Sequence, residues 1–251
     1  MKPARILIIA GSDSGGGAGI QADLKTVTLL GGFAMTAITA ITAQNTLGVQ
    51  GVHPIPTEMV LAQMESCISD IGVDAVKIGM IGSAQTAMAV AERLAGLDGV
   101  PIVFDPVMVA TSGSLLADAD TIAAFHKLMA IATLVTPNIP ELAALGGEEI
   151  AARFGTHVLA KGGHGEGAML TDRLIGPHGL AKSWSDARID TLHTHGTGCT
   201  MASAIATGLG QGMALPDAIT RARDYVRAAL RLAPGFGGGH GPMGAPFTFH
   251  A

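Results

Sequence analysis

The stretch Arg5-Ile6-Leu7-Ile8-Ile9-Ala10-Gly11-Ser12-Asp13-Ser14-Gly15-Gly16-Gly17-Ala18-Gly19 decides the fold class. Residues 6–10 form a short apolar run, which predicts a buried β-strand over residues 5–10. The glycine-rich segment that follows predicts a turn, and residues 19–30 predict a helix. A strand, a turn and a helix in this order form the repeating unit of a parallel sheet.

Strand and helix patterns alternate along the rest of the chain. We predict strands at 33–42, 75–78, 101–104, 134–136, 157–160 and 168–171, and helices at 57–71, 83–97, 118–130, 201–212 and 215–232; a helix is the alternative for residues 33–42. Thr57 and Ser83 are the expected N-caps of their helices, and Pro140 starts a further helix. The alternation predicts an α/β protein with a mostly parallel sheet and helices on both faces. Residues 234–251 predict a loop packed over the body.

Composition and charge restrict the class of protein. The 251 residues contain no Pro/Ser-rich linker, so we expect a single domain over residues 1–251. The net charge of −5 and the absence of a basic run argue against nucleic-acid binding. No uninterrupted apolar run of about 20 residues predicts a membrane span. Two cysteines and no targeting signal favour the cytoplasm.

Polar residues follow the predicted strands. In open α/β sheets, ligands bind at the carboxyl ends of the strands, so these residues are expected to share one rim. Loops are polar in general, and chance can produce part of the pattern. The residues are Ser12, Asp13, Gln44, Asn45, Asp105, Asn138 and Lys161.

The stretch Gly196-Thr197-Gly198-Cys199-Thr200 resembles an anion-binding helix start. The first amides of a helix lack partners within it, and a glycine turn lets a phosphate approach them. Cys199 lies at this positive end, where a thiol is expected to lose its proton more easily. The alternative is an ordinary helix that starts after a flexible turn.

Three further residues favour a magnesium site, because Mg²⁺ prefers oxygen ligands and often contacts substrate phosphates. They are Asp105, Asn138 and Glu141, although Asn138 and Glu141 also suit a helix cap. Lys161, between a predicted strand and two glycines, can bridge phosphates; a surface lysine is the alternative. The loop at 11–19 is no P-loop, since it lacks the required Lys-Ser or Lys-Thr.

His193, His195 and Cys199 together permit a zinc hypothesis. A zinc site needs three or four ligands of suitable spacing, and nothing ties a fourth residue to these three. A Cys-His hydrolase lacks a supporting flanking motif. Both hypotheses are therefore weaker than phosphate chemistry.

At this point the chain resembles the hydroxymethylpyrimidine/phosphomethylpyrimidine kinases of thiamine biosynthesis, which belong to the ribokinase-like superfamily. The shared motifs occur in family order from residue 5 to about residue 212. They are the segments 11–26, Thr42-Ala43-Gln44-Asn45-Thr46, Lys77-Ile78-Gly79-Met80, Asp105-Pro106-Val107-Met108, Thr136-Pro137-Asn138 with Pro140-Glu141, Lys161-Gly162-Gly163-His164 and His195-Gly196-Thr197-Gly198-Cys199-Thr200.

The resemblance implies a ribokinase-like three-layer αβα sandwich, ATP as phosphate donor and Mg²⁺ as cofactor. It implies phosphorylation of the pyrimidine's hydroxymethyl group and then of the monophosphate. Gln44 and Asp23 would contact the pyrimidine, in a pocket lined by Gly11, Ala18, Met80 and Val107. Asp105 and Glu141 would serve the metal, and Lys161, Asn138 and Thr197 the nucleotide. Gly196, Gly198 and Cys199 would hold the transferred group, with Cys199 at the position of a catalytic base.

Two departures from the family pattern affect these expectations. Thr111 stands where the family commonly has a lysine, which removes a positive charge near the phosphates. The tail at 239–245 also differs from the family's usual ending. A pyridoxal kinase of the same superfamily and a non-catalytic pyrimidine-binding protein are the alternatives. A homodimer is a further expectation from the superfamily.

Overall fold

The computed structural model describes residues 2–110, 113, 116–164 and 167–246. The described strands form one nine-stranded sheet in the order β3-β2-β1-β4-β5-β6-β7-β8-β9. The strands are β1 (Arg5–Asp13), β2 (Phe33–Asn45), β3 (Gly48–Pro54), β4 (Ala75–Ile78), β5 (Ile102–Phe104), β6 (Leu134–Val135), β7 (His157–Ala160), β8 (Met169–Gly176) and β9 (Gly179–Ala187).

Six central strands, from β2 to β7 in the sheet order, run parallel. The edge strand β3 and the β8–β9 hairpin are antiparallel to their neighbours. The helices are α1 (Gly19–Leu29), α2 (Thr57–Asp70), α3 (Ala84–Leu94), α4 (Ala119–Met129), α5 (Ile139–Leu145), α6 (Ile150–Phe154), α7 (Thr197–Gly210) and α8 (Leu215–Arg231).

Helices cover both faces of the sheet, which confirms the three-layer architecture. Along β1, Leu7 and Ile9 belong to the core cluster that includes residues of α2, α3, α4 and α6, whereas Ile6 and Ile8 belong to the cluster that includes residues of α1, α7 and α8. All four side chains are fully buried. Burial on both faces explains why the strand is apolar throughout and lacks alternation.

Several predicted boundaries need correction. Thr57 is no cap: the helix begins at Thr57 and its N-cap is Pro56, without a side-chain bond. Ser83 does cap α3, accepting a hydrogen bond from the Thr86 amide at 3.2 Å. β2 continues to Asn45, so Gln44 lies within the strand. α7 begins four residues earlier than predicted, at Thr197.

The tail packs over the body, as predicted, as far as Pro246. The Gly239 amide donates to Thr46 Oγ1 at 3.3 Å, and the Gly241 carbonyl accepts from the His195 amide at 3.2 Å. None of the helices in the described part of the chain has the length and apolar character that a membrane span requires.

Candidate functional site

Parallel pairing brings the carboxyl ends of the central strands to one edge of the sheet, where the predicted rim residues lie. Asp13 ends β1 beside Thr42 of β2, Asp105 and Lys161 follow β5 and β7 directly, and Asn138 comes three residues after the end of β6. The structure therefore brings together polar residues that are distant in the sequence. A surface groove of about 520 Å³ lies at the opposite edge, beside Pro101 and Thr133, away from this rim.

The glycine-rich loop after β1 is organised by Asp13. This buried carboxylate accepts hydrogen bonds from the amides of Gly15, Gly17 and Ala18, at 2.8, 3.1 and 2.8 Å. Burial alone would raise the pKa of Asp13, but bonds from His195 and from the Ala18 and Gly15 amides hold the pKa below its usual range. Because these amides already serve Asp13, the loop is a rigid wall of the site.

His195 connects this loop to β2. Its Nε2 lies 2.9 Å from Asp13 Oδ2 and 3.4 Å from Gln44 Nε2, and its ring covers Gly17. A ring nitrogen that donates to a carboxylate has no lone pair to accept a second hydrogen bond. The Gln44 amide hydrogens therefore remain available to a ligand. Thr42 Oγ1 fixes the other end of the amide, 3.1 Å from Gln44 Oε1.

The start of α7 faces Asp105 and Lys161. Gly196 is left-handed (φ 83°) and lies against the Gly17 carbonyl, where a side chain has no room. A Cβ at Gly198 would lie 3.3 Å from Asp105 Oδ2 and 3.4 Å from Lys161 Nζ. The first turn of the helix, including Thr197, therefore lies beside the Asp105–Lys161 pair.

Asp105 and Lys161 form an ion pair of 2.9 Å, and Thr136 Oγ1 donates to the same Asp105 oxygen at 2.8 Å. Burial alone would raise the pKa of Asp105, but Lys161 and Lys77 hold the pKa below its usual range. Burial alone would lower the pKa of Lys161, but Asp105 and Glu141 raise it. Both members of the pair are therefore charged. The alternative hypothesis, an ordinary surface lysine, does not describe Lys161.

Asn138 and Glu141 form a capping box at the start of α5. Asn138 Oδ1 accepts from the Glu141 amide and Glu141 Oε2 accepts from the Asn138 amide, both at 2.9 Å. The helix cap, which was the alternative role for both residues, is therefore present. A role as a ligand would be in addition to it. Burial raises the pKa of Glu141 to about 7, against the opposing charge of Lys161 and with a further contribution from Asp105.

We expect Glu141→Gln to change the pH dependence of stability. The pKa of Glu141 is about 7 in the fold, against 4.5 ordinarily, so the folded state holds an extra proton between these values. The free energy of unfolding of the native chain therefore falls as the pH rises from about 4.5 to 7. Relative to the native chain, the variant should gain about 1–3 kcal/mol over this interval. Urea unfolding in EDTA at pH 4.5 and pH 8 measures the difference.

Glu149→Gln is the matched control, because Glu149 lies eight residues further along the chain and is exposed, whereas Glu141 is buried. Its unfolding free energy should follow that of the native chain at both pH values. A Glu141→Gln curve that also runs parallel to the native curve would contradict the shift.

The expectation of an acidic thiol at Cys199 is wrong for the ligand-free protein. Burial raises the pKa of Cys199 to about 11; Lys77 opposes the shift, and the charges of Asp23 and Asp105 add to it. The Gly19 amide bonds the sulfur but does not reverse the shift. Loss of hydration outweighs the field of the helix start. The thiol is therefore neutral near pH 7.

The resemblance implied that Asp23 contacts the pyrimidine. In the structure, Asp23 is fully buried. Its carboxylate accepts from Lys77 Nζ at 2.8 Å and from Ser203 Oγ at 2.7 Å. Burial alone would lower the pKa of Lys77, but the charges of Asp23 and Asp105 and the hydrogen bond to Asp23 raise it above its usual range. Asp23 thus supports a buried cation beneath the first turn of α7.

The predicted pocket residues lie around the same rim. Gly11 packs against the Met80 side chain, whose methyl group occupies the space a Cβ would need. Met80, Ala18 and Val107 are half-buried, which leaves part of each accessible. Thr111 lies outside the described residues. Among the described residues, no group of three or more His, Cys, Asp and Glu side chains is arranged to hold a metal ion.

Sequence reasoning missed His195 and Lys77 as site residues. From the sequence, His195 is part of a zinc hypothesis and of a family motif, and Lys77 is part of a family motif, but neither residue is assigned a role in the proposed site. The signal for His195 was its place immediately before Gly196. A single buried lysine on a short apolar strand was the signal for Lys77, because such a charge needs a partner.

Comparison with known proteins agrees with this geometry. The sequence profile described as phosphomethylpyrimidine kinase matches residues 13–244. The chain is 48% identical over 252 residues to the thiamine biosynthesis bifunctional protein ThiED of Geobacter sulfurreducens, covering 95% of this chain and about half (51%) of that protein. It is 46% identical over 261 residues to a hydroxymethylpyrimidine/phosphomethylpyrimidine kinase of Streptomyces coelicolor, covering 97% of this chain and 94% of that one.

Among solved structures, an ADP complex of Bacillus subtilis pyridoxal kinase superposes with a TM-score of 0.88 at 32% identity, covering 97% of each chain. This likeness confirms the ribokinase-like fold that the sequence motifs implied. The profile match spans most of the residues, from the first glycine-rich loop to the tail. The chain therefore belongs to the phosphomethylpyrimidine kinase family.

Proposed function

We propose that this chain uses ATP to phosphorylate 4-amino-5-hydroxymethyl-2-methylpyrimidine and then its monophosphate, giving the diphosphate used in thiamine biosynthesis. One observation carries the proposal: the Asp105–Lys161 pair faces Gly198 at the start of α7, and His195, three residues before Gly198 in the chain, lies 3.4 Å from the Gln44 amide. A phosphate-type site and a site for a planar hydrogen-bonding ligand therefore adjoin. Family membership and the names of the relatives support this assignment.

The phosphate half neutralises and orients the transferred group. Lys161 supplies the cation, and the α7 amides at Gly198 and Cys199 supply oriented dipoles. The substrate hydroxyl oxygen bonds to the γ-phosphorus as the bond to the ADP oxygen breaks, and the hydroxyl proton leaves. We assign Cys199 as the acceptor of that proton, a role that requires its thiolate form.

A magnesium ion fits the carboxylates beside Lys161. Mg²⁺ is usually held by one or two carboxylates together with waters and substrate phosphates, so Asp105 and Glu141 form a suitable donor set. When bound, the ion would neutralise phosphate charge and orient the triphosphate. Asn138, at the same strand end, would place its side-chain amide beside the nucleotide.

The pyrimidine half depends on Gln44. Its amide offers a donor and an acceptor side by side, which match the ring nitrogen and amino group of an aminopyrimidine. Asp13 and His195 hold the neighbouring wall rigid, and Gly11, Ala18, Met80 and Val107 line the pocket. Asp23 acts in this scheme through Lys77, and its direct contact with the pyrimidine stays a prediction.

The direct test is Mg²⁺-dependent ADP release with three acceptors: the hydroxymethylpyrimidine, its monophosphate and pyridoxal. Turnover on both pyrimidines is the expected result, and it would show that Thr111 in place of the family lysine is tolerated. Preference for pyridoxal would support the second candidate, which the likeness to Bacillus subtilis pyridoxal kinase favours. Pyrimidine binding without turnover would overturn the assignment as a kinase.

We expect Gln44→Ala to raise KM for the hydroxymethylpyrimidine about 10–100-fold, because two hydrogen bonds worth roughly 1–3 kcal/mol together are lost. The KM for ATP should stay within about twofold, since Gln44 lies on the pyrimidine side. Steady-state kinetics at saturating ATP measures the change. Gln50→Ala is the matched control, because Gln50 is exposed on β3 and bonds only local groups. An unchanged pyrimidine KM in the Gln44 variant would contradict the assigned role.

The proposal also covers the location, the domain organisation and the oligomeric state of the protein. We infer a cytoplasmic protein and a single kinase domain over residues 1–251. We also infer a homodimer: β3 is an edge strand with one unpaired side and exposed residues along most of its length. Analytical ultracentrifugation distinguishes the dimer from a monomer.

A further inference from the structure

The loop that carries Lys161 is fastened to its surroundings through its backbone. The Lys161 amide donates to the Pro137 carbonyl at 3.0 Å, and the Gly162 amide donates to Asp172 Oδ1 at 2.7 Å. Gly162 also lies so close to the backbone of Thr171 that a Cβ would overlap it. Because two adjacent glycines give the loop little stiffness of its own, these contacts fix the direction in which Lys161 leaves β7.

Asp172 joins this loop to helix α8. It lies on β8 and is 8% exposed, and its Oδ2 forms an ion pair with Arg223, which is 5% exposed. Arg223 Nη2 in turn bonds Asp186 Oδ2 on β9 at 2.6 Å, and Arg227 lies 3.8 Å from the other Asp186 oxygen. One carboxylate of this cluster, Asp172, contacts the Lys161 loop, whereas the other, Asp186, bonds α8 alone among the described contacts.

We propose that Asp172 is a positioning residue for the nucleotide: it anchors the Gly162 amide to Arg223 of α8 and so holds Lys161 where the ATP phosphates bind. Lys161 must reach both Asp105 and a phosphate, and its ammonium lies at the end of a flexible four-carbon chain. Displacement of a binding group by about 1 Å can cost on the order of 10²-fold in rate. A rigid starting point for the side chain therefore matters.

The inference rests on the proposed function, because it presumes that Lys161 binds the nucleotide phosphates. The test compares Asp172→Ala with Asp186→Ala, both of which remove a carboxylate from the same arginine. ADP binding is measured by calorimetry, a readout that needs no acceptor and stays informative if the acceptor was assigned wrongly. The kinetic readout is KM for ATP against KM for the pyrimidine.

We expect Asp172→Ala to weaken ADP binding and raise KM for ATP about tenfold, with the pyrimidine KM unchanged. Asp186→Ala should leave both nucleotide constants within about twofold. Asp172→Asn keeps an oxygen that can accept from Gly162, so it should restore nucleotide binding to within about threefold of the native chain. Equal effects of the two alanine variants, or no effect of either, would overturn the proposal.

A buried arginine left without its partner can prevent folding. The double variant Asp172→Leu with Arg223→Leu removes the ion pair and the acceptor together and leaves no unpaired charge at either position. It should show the same loss of ADP binding as Asp172→Ala. The single tryptophan, Trp184, lies directly opposite Asp172 on β9, so its fluorescence reports whether the hairpin is intact. Native fluorescence with native ADP affinity in this variant would also refute the anchoring role.

Discussion

Lys161→Met is expected to lower kcat by about 10²–10³, the range found when one group that stabilises transition-state charge is removed. The ammonium lies 2.9 Å from Asp105 and beside Gly198 at the start of α7. The substitution keeps the chain length and apolar volume of the side chain and removes its charge. Initial rates of ADP formation at saturating ATP and pyrimidine measure the effect.

Loss of Lys161 also leaves Asp105 buried without its cation, which can cost roughly 3–5 kcal/mol of stability. The double variant Lys161→Met with Asp105→Asn removes both charges, so it should fold better yet stay inactive. Lys127→Met is the matched control, because Lys127 is exposed on α4. Its kcat should be native. A Lys161→Met enzyme with native kcat would exclude the phosphate role of this lysine.

Cys199→Ala is expected to lower kcat about 10²–10⁴-fold, the usual contribution of a positioned base, with much smaller changes in either KM. With a thiol pKa of about 11, roughly one molecule in 10⁴ carries the thiolate at pH 7. The native kcat should therefore rise about tenfold per pH unit from pH 7 towards pH 10. The alanine variant should lack that rise.

Cys67→Ala is the control, because Cys67 packs against the core on α2 and lies outside the site. It should keep both the native kcat and the native pH profile. A flat native profile, or an alanine variant with full turnover, would show that Cys199 shapes the site without accepting a proton. If bound substrate lowers the thiol pKa, kcat should reach a plateau at a pH below 10.

The order and type of most elements were predictable, because runs such as Ile6–Ile9 are buried on both faces and therefore apolar throughout. Strands β3 and β9 were missed because they are largely exposed and lack the continuous apolar run of a buried strand, and β8 was predicted only as far as residue 171. The start of α7 was placed too late, since Gly196 and Gly198 disfavour a helix by propensity alone. Tertiary contacts decide that boundary.

The site residues at strand ends were predictable from topology, because parallel strands must end at one edge. The contacts that join distant parts of the chain within the site were not predictable. His195 meets Asp13 across 182 positions, and Ser203 meets Asp23 across 180. The pKa shift of Cys199 was predicted in the wrong direction, because a sequence shows the helix start but not how completely the sulfur is desolvated.

The contact between Gly17 and Gly196 joins the first glycine-rich loop to a turn that is synthesised late. Strands β1, β2 and β4 can pair long before α7 leaves the ribosome, yet the wall formed by Asp13 stays incomplete until His195 arrives. Contacts of such long sequence separation form slowly. The apolar side chains on one face of the sheet pack with residues of α7 and α8, so this part of the core and the binding site are both completed only after those two helices have been synthesised.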